Sequence, residues 1–142
     1  MIMREVSLII IHCSAVRPQV RSAAADIDRW HRGRGWTMIG YHYVVRRDGS
    51  IECGRPVEMA GAHCRGRNSH SVGICYEGGL DDSGTPADTR TEAQKESLRR
   101  LLLRLKARFP DARIAGHRDF DSLKECPCFD AAREYADIMQ QA

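Results

Sequence analysis

Two histidines and a cysteine stand where this sequence would need them to hold a metal ion. His12 directly follows an apolar, β-branched run from Val6 to Ile11, and His117 follows a shorter run ending at Gly116. Cys126 comes nine residues after His117, in Lys124-Glu125-Cys126-Pro127-Cys128. Histidines at the C-terminal ends of strands sit where open α/β sheets place their ligands. Two imidazoles and one thiolate make a three-ligand zinc set with a fourth position open for water, the pattern of a catalytic site rather than a structural one. Cys128 is the candidate for a fourth protein ligand. Only Pro127 separates it from Cys126, a tighter bite than the usual spacing of about two to four residues. On spacing alone both readings stay open, because a histidine after a strand is also commonly a hydrogen-bonded cleft residue.

These side chains need elements to hold them. The Val6–Ile11 run reads as a strand covered on both faces. Ser22 to His31 reads as a helix, with Ala25, Ile27 and Trp30 at apolar spacing and Gly33 and Gly35 ending it. Tyr41 to Arg46 and Ser50 to Cys53 flank Asp48-Gly49, a turn signal that predicts an antiparallel hairpin. Ser71 to Tyr76 is a further short strand, and Gly78 to Arg90 a loop rich in Gly, Asp, Ser and Pro. Thr91 then opens the strongest helix. Gln94 is its capping-box partner, Leu98, Leu101, Leu102, Leu105 and Phe109 form its apolar stripe, and Pro110 stops it. Arg113 to Gly116 is a brief strand and Phe129 to Met139 a final helix. Strands interleaved with helices predict one α/β domain over residues 1–142, built on a mixed central sheet flanked by helices.

Composition narrows the classes. The chain has 142 residues, 42% hydrophobic and 29% charged, enough for one contiguous core. A net charge of +3 is too small to argue for nucleic acid, though it suits an anionic substrate. The basic face of the long helix (Arg99, Arg100, Arg104, Lys106, Arg108) lies opposite a leucine stripe and reads as its solvated side. The N-terminal apolar run falls short of the roughly 7–15 residues of a secretory signal, and no run approaches the roughly 20 of a membrane span. The expectation is a soluble monomer made in the cytoplasm without a signal peptide and without a membrane partner. The six cysteines lack the export context of a disulfide scaffold, so free thiols and a metal ligand are expected.

In order along nearly the whole chain, the sequence resembles the zinc amidases of the N-acetylmuramoyl-L-alanine type, which include small phage amidases and the peptidoglycan recognition proteins. The segments that carry the resemblance are Ile-His-Cys-Ser-Ala (11–15), Trp-His…Gly-Trp (30–36), Ile-Gly-Tyr-His-Tyr-Val-Val (39–45) and Arg-Asp-Gly (47–49). They continue with Gly-Arg-Pro (54–56), Gly-Ala-His (61–63) with Asn68, Ser-Val-Gly-Ile-Cys (71–75), Gly-His-Arg-Asp (116–119) and Lys-Glu-Cys-Pro-Cys-Phe-Asp (124–130). The resemblance implies one zinc ion held by His12, His117 and Cys126. It implies that Tyr41 orients or deprotonates the attacking water, and that Lys124 stabilises the transition state. Cys128 falls where phage-type relatives carry a small residue such as serine. The interval from His117 to Cys126 is one residue longer than the family pattern, the extra residue lying within Phe120 to Leu123. The activity implied is cleavage of the amide between the lactyl group of N-acetylmuramic acid and L-alanine in peptidoglycan, with the cell wall as the place of action after lysis or non-classical export.

Other residues have quieter readings. His63 and Asn68 are expected to line the cleft or brace its loop, with substrate contact a further role. His42 alternates in facing with Tyr41, as a ligand-supporting or core residue. His31 and His70 read as surface or loop-bracing, and Cys13, Cys53 and Cys75 as small core residues. Two other functions belong beside the amidase. Some family members are non-catalytic wall-binding modules, a loss usually visible at the cysteine ligand, which is present here as Cys126. Some phage amidases also inhibit an RNA polymerase, a partner that no residue here singles out.

Overall fold

The computed structural model describes residues 4–139. Five strands form one sheet in the order β3-β2-β4-β1-β5. They are β1 (Leu8–Cys13), β2 (Tyr43–Val45), β3 (Ile51–Cys53), β4 (Ser71–Tyr76) and β5 (Arg113–Gly116). β1 pairs in parallel with β4 and β5, β2 pairs in parallel with β4, and β3 closes one edge antiparallel to β2. The sheet is therefore mixed, as expected, and its antiparallel hairpin turns at Asp48-Gly49. Because β1 is an interior strand and helices cover both faces of the sheet, Ile9, Ile10 and Ile11 are fully buried.

Helices cover the two faces. On one, α2 (Glu92–Arg108) lays Leu98, Leu101, Leu102 and Leu105 against Ile9, Ile11, Ile74, Tyr76 and Ile114. Thr91 caps it as expected: its hydroxyl accepts from the Gln94 N–H at 3.1 Å, and Gln94 Oε1 accepts from the Thr91 N–H at 2.9 Å. On the other face, Ile27 of α1 (Ala24–Gly33) packs with Ile39, Val44 and Cys75. Pleat alternation puts Ile11 and Cys13 towards α2, so Ile10 and His12 point towards α1. Two short helices, α3 (Ala131–Glu134) and α4 (Ala136–Met139), complete the layer beside β5.

Four expectations need correction. The first strand begins at Leu8 and runs through Cys13, so His12 lies within it rather than after it. The final helix is broken at Tyr135, whose buried ring meets Phe129 edge-on at 6.2 Å and whose hydroxyl accepts from Arg90 at 3.0 Å. Lys106 leaves the solvated face of α2. It is buried and donates to the carbonyls of Pro110 and Ala112, tying the turn that stops the helix. Cys53 is exposed, because β3 is an edge strand, whereas Cys13 and Cys75 are buried. All six cysteines are free thiols. No helix among the described residues is long and apolar enough to cross a membrane.

Candidate metal centre

His12 is carried on the interior strand β1, at the C-terminal end of the parallel strands. The neighbouring strand β5 ends at Gly116, in register with Ile11, and delivers His117 at once into a 3-10 turn spanning His117–Asp119. The Asp119 carboxylate accepts from the Gly116 N–H at 2.8 Å and holds that turn closed. A Cβ on Gly116 would lie 2.6 Å from Pro127, so the absent side chain is what admits the Cys126-Pro127 segment beside His117. The Arg118 N–H donates to the Cys126 carbonyl at 2.8 Å, and the buried Tyr76 hydroxyl donates to the Pro127 carbonyl at 2.7 Å. Two turns, closed by the Phe120 N–H to the His117 carbonyl and the Lys124 N–H to the Asp121 carbonyl, each at 3.0 Å, carry the chain from His117 to Cys126.

The result is that His12, His117 and Cys126 each offer one donor atom, all within 4.8 Å of one another. Burial keeps the His12 imidazole well below its ordinary 6.5, with His63 and His117 adding to the effect. Burial likewise lowers His117, reinforced by Lys124 and opposed by Asp121. Both rings are thus neutral at pH 7, the form a metal ligand requires. The Cys13 N–H donates to the Cys126 sulfur at 3.0 Å. Two neutral imidazoles, one cysteine sulfur and no carboxylate in the set fit a zinc ion with an open position. Cys128 stands apart, with backbone φ of 71° and its sulfur directed at the Gly79 carbonyl at 3.4 Å.

His117 and Cys126 line a groove of about 850 Å³, and His12 lies buried behind them. The Tyr41 ring lies 5.0 Å from that of His12, and burial raises its phenol well above the ordinary 10. Lys124 is exposed at the rim of the same groove. His63 is in its wall, with Nδ1 2.9 Å from His12 Nε2 and Nε2 3.2 Å from the Ser71 hydroxyl. Asn68 braces the loop as expected: its Oδ1 accepts from the N–H groups of His63 and Cys64 at 2.9 and 3.0 Å. His42 is satisfied one tier deeper. Its Nδ1 accepts from the Gly73 N–H at 3.0 Å, so Nε2 carries the proton donated to the Met59 carbonyl at 2.8 Å.

Of the two readings for His31, surface or loop-bracing, the structure shows the second. It is buried, its Nδ1 accepts from the Gly40 N–H at 2.9 Å, and its ring packs on Trp36 at 4.5 Å while lining the groove. Trp30, Arg34, Trp36 and Arg65 share that wall. The only sequence signal for them is the Trp-His…Gly-Trp stretch, whose aromatic pair is two-fifths exposed instead of filling the core.

The sequence matches the N-acetylmuramoyl-L-alanine amidase family over residues 3–129. It is 42% identical over 130 residues to an endolysin of Klebsiella phage KP32, spanning 92% of this chain and 85% of the relative. It is 40% identical over 125 residues to an endolysin of Escherichia phage T7, spanning 88% and 82%. The fold superimposes on the N-acetylmuramoyl-L-alanine amidase LysC from Clostridium intestinale URNW with a TM-score of 0.80 at 29% identity, covering 95% of this chain and 86% of that one.

Proposed function

This chain belongs to the N-acetylmuramoyl-L-alanine amidase family, and from that premise we propose that it holds one zinc ion between His12, His117 and Cys126 and uses it to cut peptidoglycan. The chain is a peptidoglycan amidase, hydrolysing the amide between the lactyl group of N-acetylmuramic acid and the L-alanine of the stem peptide. The family is zinc-dependent in general. What supports this ligand set is the convergence of three donor atoms within 4.8 Å of one another, two of them on residues that line an open groove.

An amide is a poor electrophile and neutral water a poor nucleophile. When bound, zinc supplies Lewis acidity, lowering the pKa of water to about 7 and polarising the carbonyl. The protein's part is positioning. His12 is set by an interior strand, and the Cys13 N–H holds the Cys126 sulfur. Tyr41, ring to ring with His12, orients the attacking water through its hydroxyl. Lys124, at the rim, meets the carbonyl oxygen as negative charge develops there, a contribution of a few kcal/mol. His63 and Asn68 form part of the wall on which the stem peptide rests. Arg34 and Arg65 give the groove a cationic lining suited to the carboxylates of that peptide. The substrate puts the work of the enzyme at the cell wall.

The test is a product analysis on purified peptidoglycan. The expected result is new amino-terminal L-alanine on released stem peptides, abolished by a chelator and restored by zinc. New reducing sugar ends without new amino termini would overturn the reading.

A further inference from the structure

His63 occupies a position that a groove-lining residue does not need. It is buried, and both of its ring nitrogens are engaged within the protein: Nδ1 lies 2.9 Å from His12 Nε2, and Nε2 lies 3.2 Å from the Ser71 hydroxyl. The ring meets that of His12 edge-on, at 89° and 4.9 Å between centres. Two glycines hold it there. A Cβ on Gly61 would come within 2.6 Å of the His63 ring, and one on Gly73 within 2.6 Å as well. The loop below is pinned by Asn68, which accepts the N–H of His63 itself at 2.9 Å.

We infer that His63 is a positioning residue for the metal centre: it accepts the Nε2 proton of His12, fixes that imidazole in one tautomer and turns its Nδ1 lone pair towards the ion. The inference rests on the zinc reading given above. With Nε2 committed to His63, Nδ1 is the nitrogen of His12 left for a metal. It lies on the backbone side of the ring, the side on which Cys126 Sγ sits 3.0 Å from the Cys13 nitrogen. The proton count closes along the chain. A ligand Nδ1 must be unprotonated, so His12 carries its proton on Nε2 and donates it to His63 Nδ1. His63 then carries its own on Nε2 and donates it to the Ser71 oxygen. A ligating imidazole whose second nitrogen is held in this way is both aimed and made more basic.

Zinc affinity, measured by competition with a chromophoric chelator, tests the proposal without reference to activity. The wild-type protein is measured first, since a wild type that takes up no zinc removes the ligand reading itself. Given a zinc-binding wild type, His63→Leu fills the space but offers no acceptor, and its affinity is expected to fall about 10- to 100-fold. His63→Asn places a carbonyl oxygen near the site of Nδ1 and is expected to recover most of that loss. A leucine variant that binds zinc as the wild type does, or an asparagine variant no better than leucine, overturns the proposal. Should the leucine variant fail to fold, Ser71→Ala reads the same chain from its far end: a severalfold loss of affinity supports it, and wild-type affinity overturns it.

Discussion

The backbone N–H of Cys13 points at the sulfur of Cys126 across 3.0 Å, joining residues 113 positions apart in sequence. One strand therefore supplies both the His12 imidazole and the hydrogen bond that holds the Cys126 sulfur. The two cysteines after Lys124 are consequently not equivalent, because only the first is reached by that N–H.

Replacing each cysteine separately exposes the difference. Cys126→Ala is expected to abolish both zinc binding and wall lysis, whereas Cys128→Ser keeps one zinc per chain by metal analysis. Loss of metal in the Cys128 variant alone would reverse the ligand assignment.

Lys124 is exposed at the groove rim and lies outside the metal-donor set. Lys124→Met should leave zinc content intact and lower kcat about a hundredfold, the usual effect of removing one group that meets a developing oxyanion. Unchanged kcat would mean that this lysine is only a solvated charge.

Gly73 faces the His63 ring with no room for a methyl group, since an added Cβ would sit 2.6 Å from two ring carbons. Gly73→Ala is expected to destabilise the metal-free protein by about 1–3 kcal/mol, the range for overpacking a tight interior. Urea denaturation measures this directly, and a variant as stable as the wild type would show that the histidine tier can shift.

Glu77 provides a pH prediction away from the metal. Its side chain is 3% exposed, and it accepts from the Ser22 N–H, the Arg46 guanidinium and the Arg47 N–H at 2.7, 3.0 and 2.9 Å. Burial alone would raise its pKa, but these donors outweigh it and hold the carboxyl below its ordinary 4.5. A depressed carboxyl contributes stability above the ordinary value, and that stability is lost as pH falls through the folded value. Denaturation midpoints should therefore drop below pH 4.5. Glu77→Gln should cost about 2 kcal/mol at pH 7, from lost charge-assisted hydrogen bonds. It should also flatten the acid limb; an equally steep limb in the variant would assign the acid sensitivity to other groups.

Much of this architecture could be read from residue order, and the exceptions have physical causes. The apolar run before His12, the Thr91–Gln94 cap and the leucine stripe are local signals, and they marked β1, α2 and the packing between them. Polarity predicts that the strand ends before His12, but it runs on through Cys13 because tertiary cover buries both residues. Lys106 looked like its charged neighbours on α2. Its burial depends on two carbonyls presented by the turn after Pro110, which periodicity does not register. Cys53 looked apolar enough for a core, but its strand lies at a sheet edge. The donor residues His12, His117 and Cys126 could be picked out by type, whereas their approach to one another depends on β1 and β5 being neighbours. The bond between His12 and His63 spans 51 positions and arises from the β1–β4 pairing together with two glycines, so no local pattern announces it.

The pairing of β1 with β5 has a consequence for synthesis. A chain leaving the ribosome displays His12 a full 105 residues (117 − 12) ahead of His117, and the strand that brings the two together emerges just before the latter. On the proposed ligand set, any product that stops short of Cys126 lacks its third metal donor, however well its earlier strands assemble. A premature stop codon before that cysteine is then expected to yield an inert polypeptide instead of a weakened one.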